Sequence, residues 1–269
     1  MEPPRPDSES ESAPHSIWGS EWHALLAAFQ FLTMLPIKRG FTSEQIGHST
    51  TYFPVVGIVI GLILAGINYI LSFLLPSAIV NILLVAALAF LSGGLHLDGL
   101  ADTMDGIAGH RTAEQRLEIM RDSRIGGFGA IGLALFLLAE YIVLNSVPRG
   151  WMTYTLIMTP TLSRWAMVNT IFVYPYARPS GLGKAFKEAV SWRQFIIATV
   201  VSLIIAVVLF RVLGLAIMAF AWAIVSLAAF YLKHQLKGLT GDTYGAINEI
   251  TTISVLIMIN ILVFKGWLL

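Results

Sequence analysis

The chain has 269 residues, 56% of them hydrophobic and only 12% charged, with a formal net charge of +1 and a mean hydropathy of +0.75. A water-soluble domain carries about 25% charged residues, so this composition excludes a disordered chain, a secreted disulfide scaffold and a cytosolic globular enzyme. The near-neutral balance offers no basic field for nucleic acid, and the absence of cysteine removes disulfides, thiolate metal sites and a cysteine nucleophile. What remains is an all-α, polytopic transmembrane helical bundle.

Residues 1–20 open with MEPPRPDSESESAPHS, which is acidic, rich in Pro and Ser, and without an apolar face. This stretch reads as a disordered acidic tail, and it lacks the basic and apolar parts of a signal peptide. Residues 21–269 read as a single integral-membrane catalytic domain. Continuous apolar runs recur at about 22–37, 51–75, 78–97, 127–147, 152–174, 195–212, 214–232 and 250–268. Most reach the roughly 20 residues that cross a hydrocarbon core, while the first is short enough to be re-entrant or interfacial. None alternates as a membrane barrel strand must. The expectation is eight spans, with seven as the alternative. Eight spans place 12 Lys and Arg on one side and 4 on the other, with Arg164 inside a span. The richer side is expected to face the cytoplasm from a multi-pass cell membrane.

Five of the six aspartates, Asp98, Asp102, Asp105, Asp122 and Asp242, fall in two connections on that richer side. The segment GGLHLDGLADTMDG leaves the third run and, if helical, sets Asp98, Asp102 and Asp105 at i, i+4 and i+7 on one face. Carboxylates about 6 Å apart repel by roughly 2–3 kcal/mol per pair at an effective dielectric near 20, so a compensating cation is expected. Clustered oxygen donors without thiolates suit Mg²⁺ or Mn²⁺. A solvated polar helix end is the plain alternative. On a continuous helix His96 points away from the aspartate face; it is either a packed histidine or, if the chain bends at Gly99, a functional one.

The same connection continues through Thr112 and Gln115, a capping-box pair, with an apolar stripe of Ala113, Leu117 and Met120. It reads as a short amphipathic helix on the membrane surface. Arg121 and Arg124, beside Asp122, are placed to grip a phosphate bidentately or to meet anionic lipid. Gly127 to Gly132 matches G-x-G-x-x-G but lacks the preceding strand that motif needs, and is set aside. Gly57 and Gly61 read as a helix-packing face. In the segment 237–249, glycines around Asp242 let backbone amides approach an anion, and a helix starting there sets Glu249 two turns above Asp242. Asp242 as a plain N-cap is the alternative. Arg164, alone among basic residues within a span, is a functional candidate by default, or a structural partner of Glu140.

With GGLHLDGLADTMDG, IMRDSRIGGFG and GLTGDTYGAINE in this order, the chain resembles the cobalamin synthase family, the adenosylcobinamide-GDP ribazoletransferases. Phe31–Pro36, Tyr52–Gly57 and Ser163–Met167 add weaker matches, and the resemblance runs from about residue 25 to the C-terminus. It implies the final step of cobalamin nucleotide-loop assembly. Adenosylcobinamide-GDP is joined to α-ribazole or its 5′-phosphate, and GMP is released with Mg²⁺ as cofactor. Asp98, Asp102, Asp105, Asp242 and Glu249 are then expected at the metal. Asp98, Asp102, Asp105 and His96 are expected in catalysis. Arg121, Asp122, Arg124, Arg164, Thr240, Gly241 and Asn248 are expected at substrate. The expected partners are the two small-molecule substrates and the lipid bilayer, with no nucleic acid; a homo-oligomer stays open. A CDP-alcohol phosphotransferase is the competing enzyme class, though its D-G-x-x-A-R start is only half met, Asp98-Gly99-Leu100-Ala101 being followed by Asp102. A cation transporter is the non-enzyme alternative.

Overall fold

The computed structural model describes residues 17–268, so residues 1–16 of the expected tail lie outside it. The first helix, α1 (Ile17–Leu32), already begins within the stretch read as tail. There follow α2 (Ser43–Ser49), a 3₁₀ turn (Thr50–Tyr52), α3 (Phe53–Leu71), α4 (Ser77–Leu91), α5 (Leu95–Ile107) and α6 (Ala113–Ile119). The second half holds α7 (Gly127–Asn145), α8 (Arg149–Val173), α9 (Leu182–Ala189), α10 (Trp192–Phe210), α11 (Val212–Leu236) and α12 (Gly241–Phe264). Among the described residues the β-structure consists of an isolated parallel bridge between Tyr176 and Leu239.

Among the described residues five helical stretches are long and apolar enough to cross a membrane: 43–71, α7, α10, α11 and α12. The α4–α5 pair makes a sixth if its 88° bend is counted within one span. Eight runs were expected, and the difference has three sources. At 16 residues α1 is short. The 25 residues of α8 are long enough, but too polar in composition. The run 78–97 is broken by Gly93 and Gly94, whose φ of +62° and +70° lie in the left-handed region that glycine enters without strain.

The bundle is built around α8, which is buried without a break from Thr155 to Leu156 and again from Met158 to Ile171. Its main neighbour is α3. A Cβ on Gly57 would stand 2.2 Å from the Pro160 carbonyl oxygen, and one on Gly61 would stand 2.5 Å from the Ile157 Cα. These two glycines are therefore the packing face expected from the sequence, letting backbone meet backbone. Phe31, Phe53 and Phe186 lock α1, α3 and α9 together, with Phe186 4.6 Å from Phe31 and 5.5 Å from Phe53 between ring centroids. The outer faces of α3, α7, α10 and α11 expose Leu62, Leu135, Ile204 and Leu227. Large apolar side chains turned outward are what a helical membrane bundle presents to lipid.

The capping box at Thr112 is formed: its Oγ accepts the Gln115 N–H at 3.4 Å and its own N–H donates to Gln115 Oε1 at 3.0 Å. The face that α6 buries differs from the expected stripe. Met120 is buried, but Ala113 and Leu117 are only half-buried, and Arg116 takes the inward position. The Arg116 guanidinium donates to the carbonyls of Gly106, Ile107, Gly109 and Arg111 at 2.6–3.2 Å. It thus satisfies orphan acceptors at the C-terminal end of α5, a role that a polar residue on an apolar helix face does not announce.

Candidate active site

The aspartates sit on one helix face, as their spacing requires. Helix α5 runs unbroken through Gly99 and presents Asp98, which is exposed, and Asp102 and Asp105, which are half-buried. The adjoining side of α5 lies on α12, and two glycines make the crossing. A Cβ on Gly99 would fall 2.6 Å from the Asp242 carbonyl oxygen, and one on Gly245 would fall 3.2 Å from the His96 Cα. This close approach carries the start of α12 to the aspartate helix. Asp102 feels the charges of Asp98, Asp242 and Asp105. Burial, then the carboxylates of Asp98 and Asp242, push the Asp102 carboxyl up to about 7. Burial and the neighbouring carboxylates thus both disfavour the charged form of Asp102, a balance that a bound cation would reverse.

Asp242 is not the N-cap of α12. Thr240 fills that position, its hydroxyl accepting the Thr243 N–H at 3.2 Å while Thr243 Oγ accepts the Thr240 N–H at 2.7 Å. Asp242 is thereby left to face the cluster. Its Oδ2 accepts a hydrogen bond from Arg178 Nη2 at 2.7 Å, and a longer one from the Thr240 hydroxyl at 3.4 Å. Arg178 also donates to the Met120 carbonyl at 3.3 Å, which ties α6 to the same corner. Arg178 is a site residue that sequence reading missed. It stands 64 residues from Asp242 in the chain, and its only signal was membership of the basic side.

Asp105, expected among the metal ligands, has both carboxylate oxygens engaged by backbone. Its Oδ2 accepts the Gly126 N–H at 2.7 Å and its Oδ1 the Gly129 N–H at 2.8 Å. The glycine-rich start of α7 is thus an anion cradle, as helix N-termini are, but the anion is the chain's own carboxylate. Asp122 and Arg124 form a bidentate pair on the surface, with Nη2 to Oδ2 at 2.6 Å and Nε to Oδ1 at 3.0 Å. That hydrogen-bonded arginine lowers the Asp122 carboxyl to about 2. Arg121 is exposed close by and reaches the surroundings of Tyr176 electrostatically. Gly241 has open space where a Cβ would stand.

The remaining candidates form a second, deeper group. Arg164 is fully buried, donates from Nη1 to Ser163 Oγ at 3.0 Å, and has Glu249 and Glu140 as charged neighbours. Asn248 Nδ2 donates to Glu249 Oε1 at 3.0 Å. The His96 ring is buried with Arg164 as its charged neighbour, and neither ring nitrogen has a protein hydrogen-bond partner. Gly99 is not a bend, so His96 stays turned from the aspartate face. Glu249 lies about 10 Å along α12 from Asp242, by the rise of 1.5 Å per residue, and the structure groups it with Arg164 instead of the aspartates. Among the described residues no set of three or more His, Asp or Glu side chains is arranged as a finished metal cage. Asp98, Asp102 and Asp242, which feel one another's charge across the α5–α12 crossing, are hard oxygen donors of the kind Mg²⁺ takes.

The profile of the cobalamin-5-phosphate synthase family matches residues 24–260. An adenosylcobinamide-GDP ribazoletransferase of Roseiflexus sp. (strain RS-1) is 39% identical over 249 residues, covering 92% of both chains. Proteins of the same name from Geotalea daltonii and Desulforamulus reducens are each 37% identical. They cover 84% and 88% of this chain and 92% and 95% of their own lengths. No solved structure matches. The chain belongs to the cobalamin-5-phosphate synthase family, the membrane-embedded transferases that complete the cobalamin nucleotide loop.

Proposed function

We propose that the chain joins adenosylcobinamide-GDP to α-ribazole, or to its 5′-phosphate, at the corner where α5 crosses α12. The ribose 3′-hydroxyl attacks the phosphorus that carries cobinamide, the bond to the GMP oxygen breaks, and GMP leaves. The observation that carries this reading is the convergence of Asp98, Asp102 and Asp242 at the Gly99 crossing, on a chain of this family. Asp98, Asp102 and Asp242 would hold Mg²⁺, which when bound neutralises diphosphate oxygens and the charge that grows on the leaving phosphate.

The chain's own residues divide the remaining work. Asp105 fixes the start of α7 against α5 and so holds the aspartate face in register. An aspartate of that face takes the hydroxyl proton, since His96 lies on the other side of α5. Arg121 stands at the rim, where an incoming phosphate is first met. The Glu140–Arg164–Glu249 group supports the bundle from within. On the eight-span reading, which puts 12 of the 17 basic residues on the side of the aspartates, the site faces the cytoplasm. An apolar groove of about 440 Å³ lined by Phe31, Phe41, Ile46, Leu95 and Phe186 opens beside the start of α5, on the path a bulky substrate would take.

GMP release from purified protein in nanodiscs, with adenosylcobinamide-GDP, α-ribazole and Mg²⁺, tests the reading. Metal-dependent GMP with a new cobalamin product is the expected result, abolished by EDTA and by Asp102→Asn in a folded variant. Wild-type turnover in that variant would sink the assignment of the site.

A further inference from the structure

The Arg178–Asp242 contact is unusual in what it leaves unused. Among the described residues only Nη2 of the guanidinium makes hydrogen bonds, one to Asp242 and one to Met120, while its buried Nε has no partner. The two side chains are largely shielded, at 14% and 23% exposure, so the pair is not a screened surface bridge. A guanidinium fork is built for two parallel bonds to a carboxylate or phosphate, and here it meets its carboxylate with one arm.

The backbone on either side is fixed. Leu239 N–H donates to Pro175 O and Ala177 N–H to Leu239 O, both at 2.8 Å. A Cβ on Gly238 would stand 2.9 Å from the Ala177 nitrogen, so the two loops touch where only glycine fits. Arg178 and Asp242 therefore keep their places, and what is free to change is the partner at the end of the arginine side chain. Arg178 also opposes the charge of Asp102. Arg124, by contrast, is 87% exposed and already engaged by Asp122.

We propose that Arg178 is a partner-exchanging, substrate-positioning residue: it holds Asp242 in the resting chain and turns to the diphosphate oxygens of the GDP-bearing substrate, freeing Asp242 for the divalent cation. The proposal rests on the Mg²⁺ and diphosphate reading above. It links the two binding events, because a carboxylate shared with a guanidinium is a poorer cation ligand than a free one.

The test uses full-length protein in nanodiscs, with Mn²⁺ as an electron-paramagnetic-resonance probe and steady-state GMP release as the second readout. In Arg178→Gln, Mn²⁺ binds severalfold more tightly, while KM for adenosylcobinamide-GDP rises about tenfold or more, the scale of one charge-assisted hydrogen bond. KM for α-ribazole stays as in wild type. Arg178→Lys keeps the charge but not the fork, so it keeps wild-type Mn²⁺ affinity and still shows the raised KM. It also serves if the Gln variant does not fold. Weaker Mn²⁺ binding in Arg178→Gln together with a lower unfolding temperature would mean a structural clamp and would overturn the exchange, as would unchanged constants in both variants. If Asp242→Asn binds Mn²⁺ as wild type does, the metal reading itself fails, and the Arg178 proposal falls with it.

Discussion

Gly99 and Asp242 meet backbone to backbone, the tighter of the two glycine contacts that set the distance between the aspartate helix and the start of α12. Any side chain at position 99 would have to push the two helices apart. In Gly99→Ala, overpacking of this kind costs about 1–3 kcal/mol, and GMP release falls further than stability does, because the carboxylates separate. Gly66→Ala is the matched control, since a Cβ there meets nothing within 4 Å. Thermal unfolding and turnover in nanodiscs would show the effect at 99 and its absence at 66.

Asp105 is the anchor of α7. Removing its carboxylate leaves two amides without acceptors and takes a negative charge from a helix N-terminus. Asp105→Ala is expected to lose about 2 kcal/mol or more, read as a lower unfolding temperature with or without Mg²⁺. Asp98→Asn, which removes no cap, should unfold close to wild type.

Asp102 behaves in the opposite sense. Its carboxyl sits at about 7 in the folded chain against an ordinary 3.8. Between those values the folded state binds more protons than the unfolded one, so stability falls as pH rises from about 4 to about 7 and levels off above. Asp102→Asn stays neutral throughout. In EDTA it should therefore unfold at a higher temperature than wild type at pH 8, and the gap should shrink toward pH 4. A pH-independent difference would show that repulsion within the cluster is not its cause.

Arg164 is the buried cation nearest two buried acids, Glu140 and Glu249, through charge rather than through a direct ion pair among the described residues. Arg164→Met removes that compensating charge and should cost on the order of 1–3 kcal/mol. The yield of monodisperse protein should collapse in that variant and recover in part when Glu140→Gln and Glu249→Gln are added. No recovery would mean that Arg164 acts through something other than its charged neighbours.

The aspartate face was legible because a helix repeats every 3.6 residues, and three acids at i, i+4 and i+7 have no other geometry. The capping box at Thr112 and the packing glycines at 57 and 61 were equally local signals. What stayed hidden was tertiary. Asp105 looks identical to Asp98 and Asp102 in the chain, and only the docking of Gly126 and Gly129 onto it makes it a cap. Glu249 shares a helix face with Asp242 but lies two turns deeper, where the neighbours come from α7 and α8. Arg178 sits in a Pro- and Gly-rich turn that reads as solvent-exposed, and the Tyr176–Leu239 bridge that brings it to Asp242 leaves no periodic trace.

The polar character of α8 carries a consequence for how the protein is made. A segment holding Arg164, Asn169 and a row of threonines around Pro160 partitions poorly into lipid when presented alone to the insertion machinery. Its natural seat is α3, whose Gly57 and Gly61 offer it bare backbone, and α3 is synthesised first. Entry of α8 into the bilayer is thus a templated event, guided by a helix already in residence. Bulky side chains at Gly57 or Gly61 should then be read out in the cell as failed biogenesis, before any question of catalysis arises.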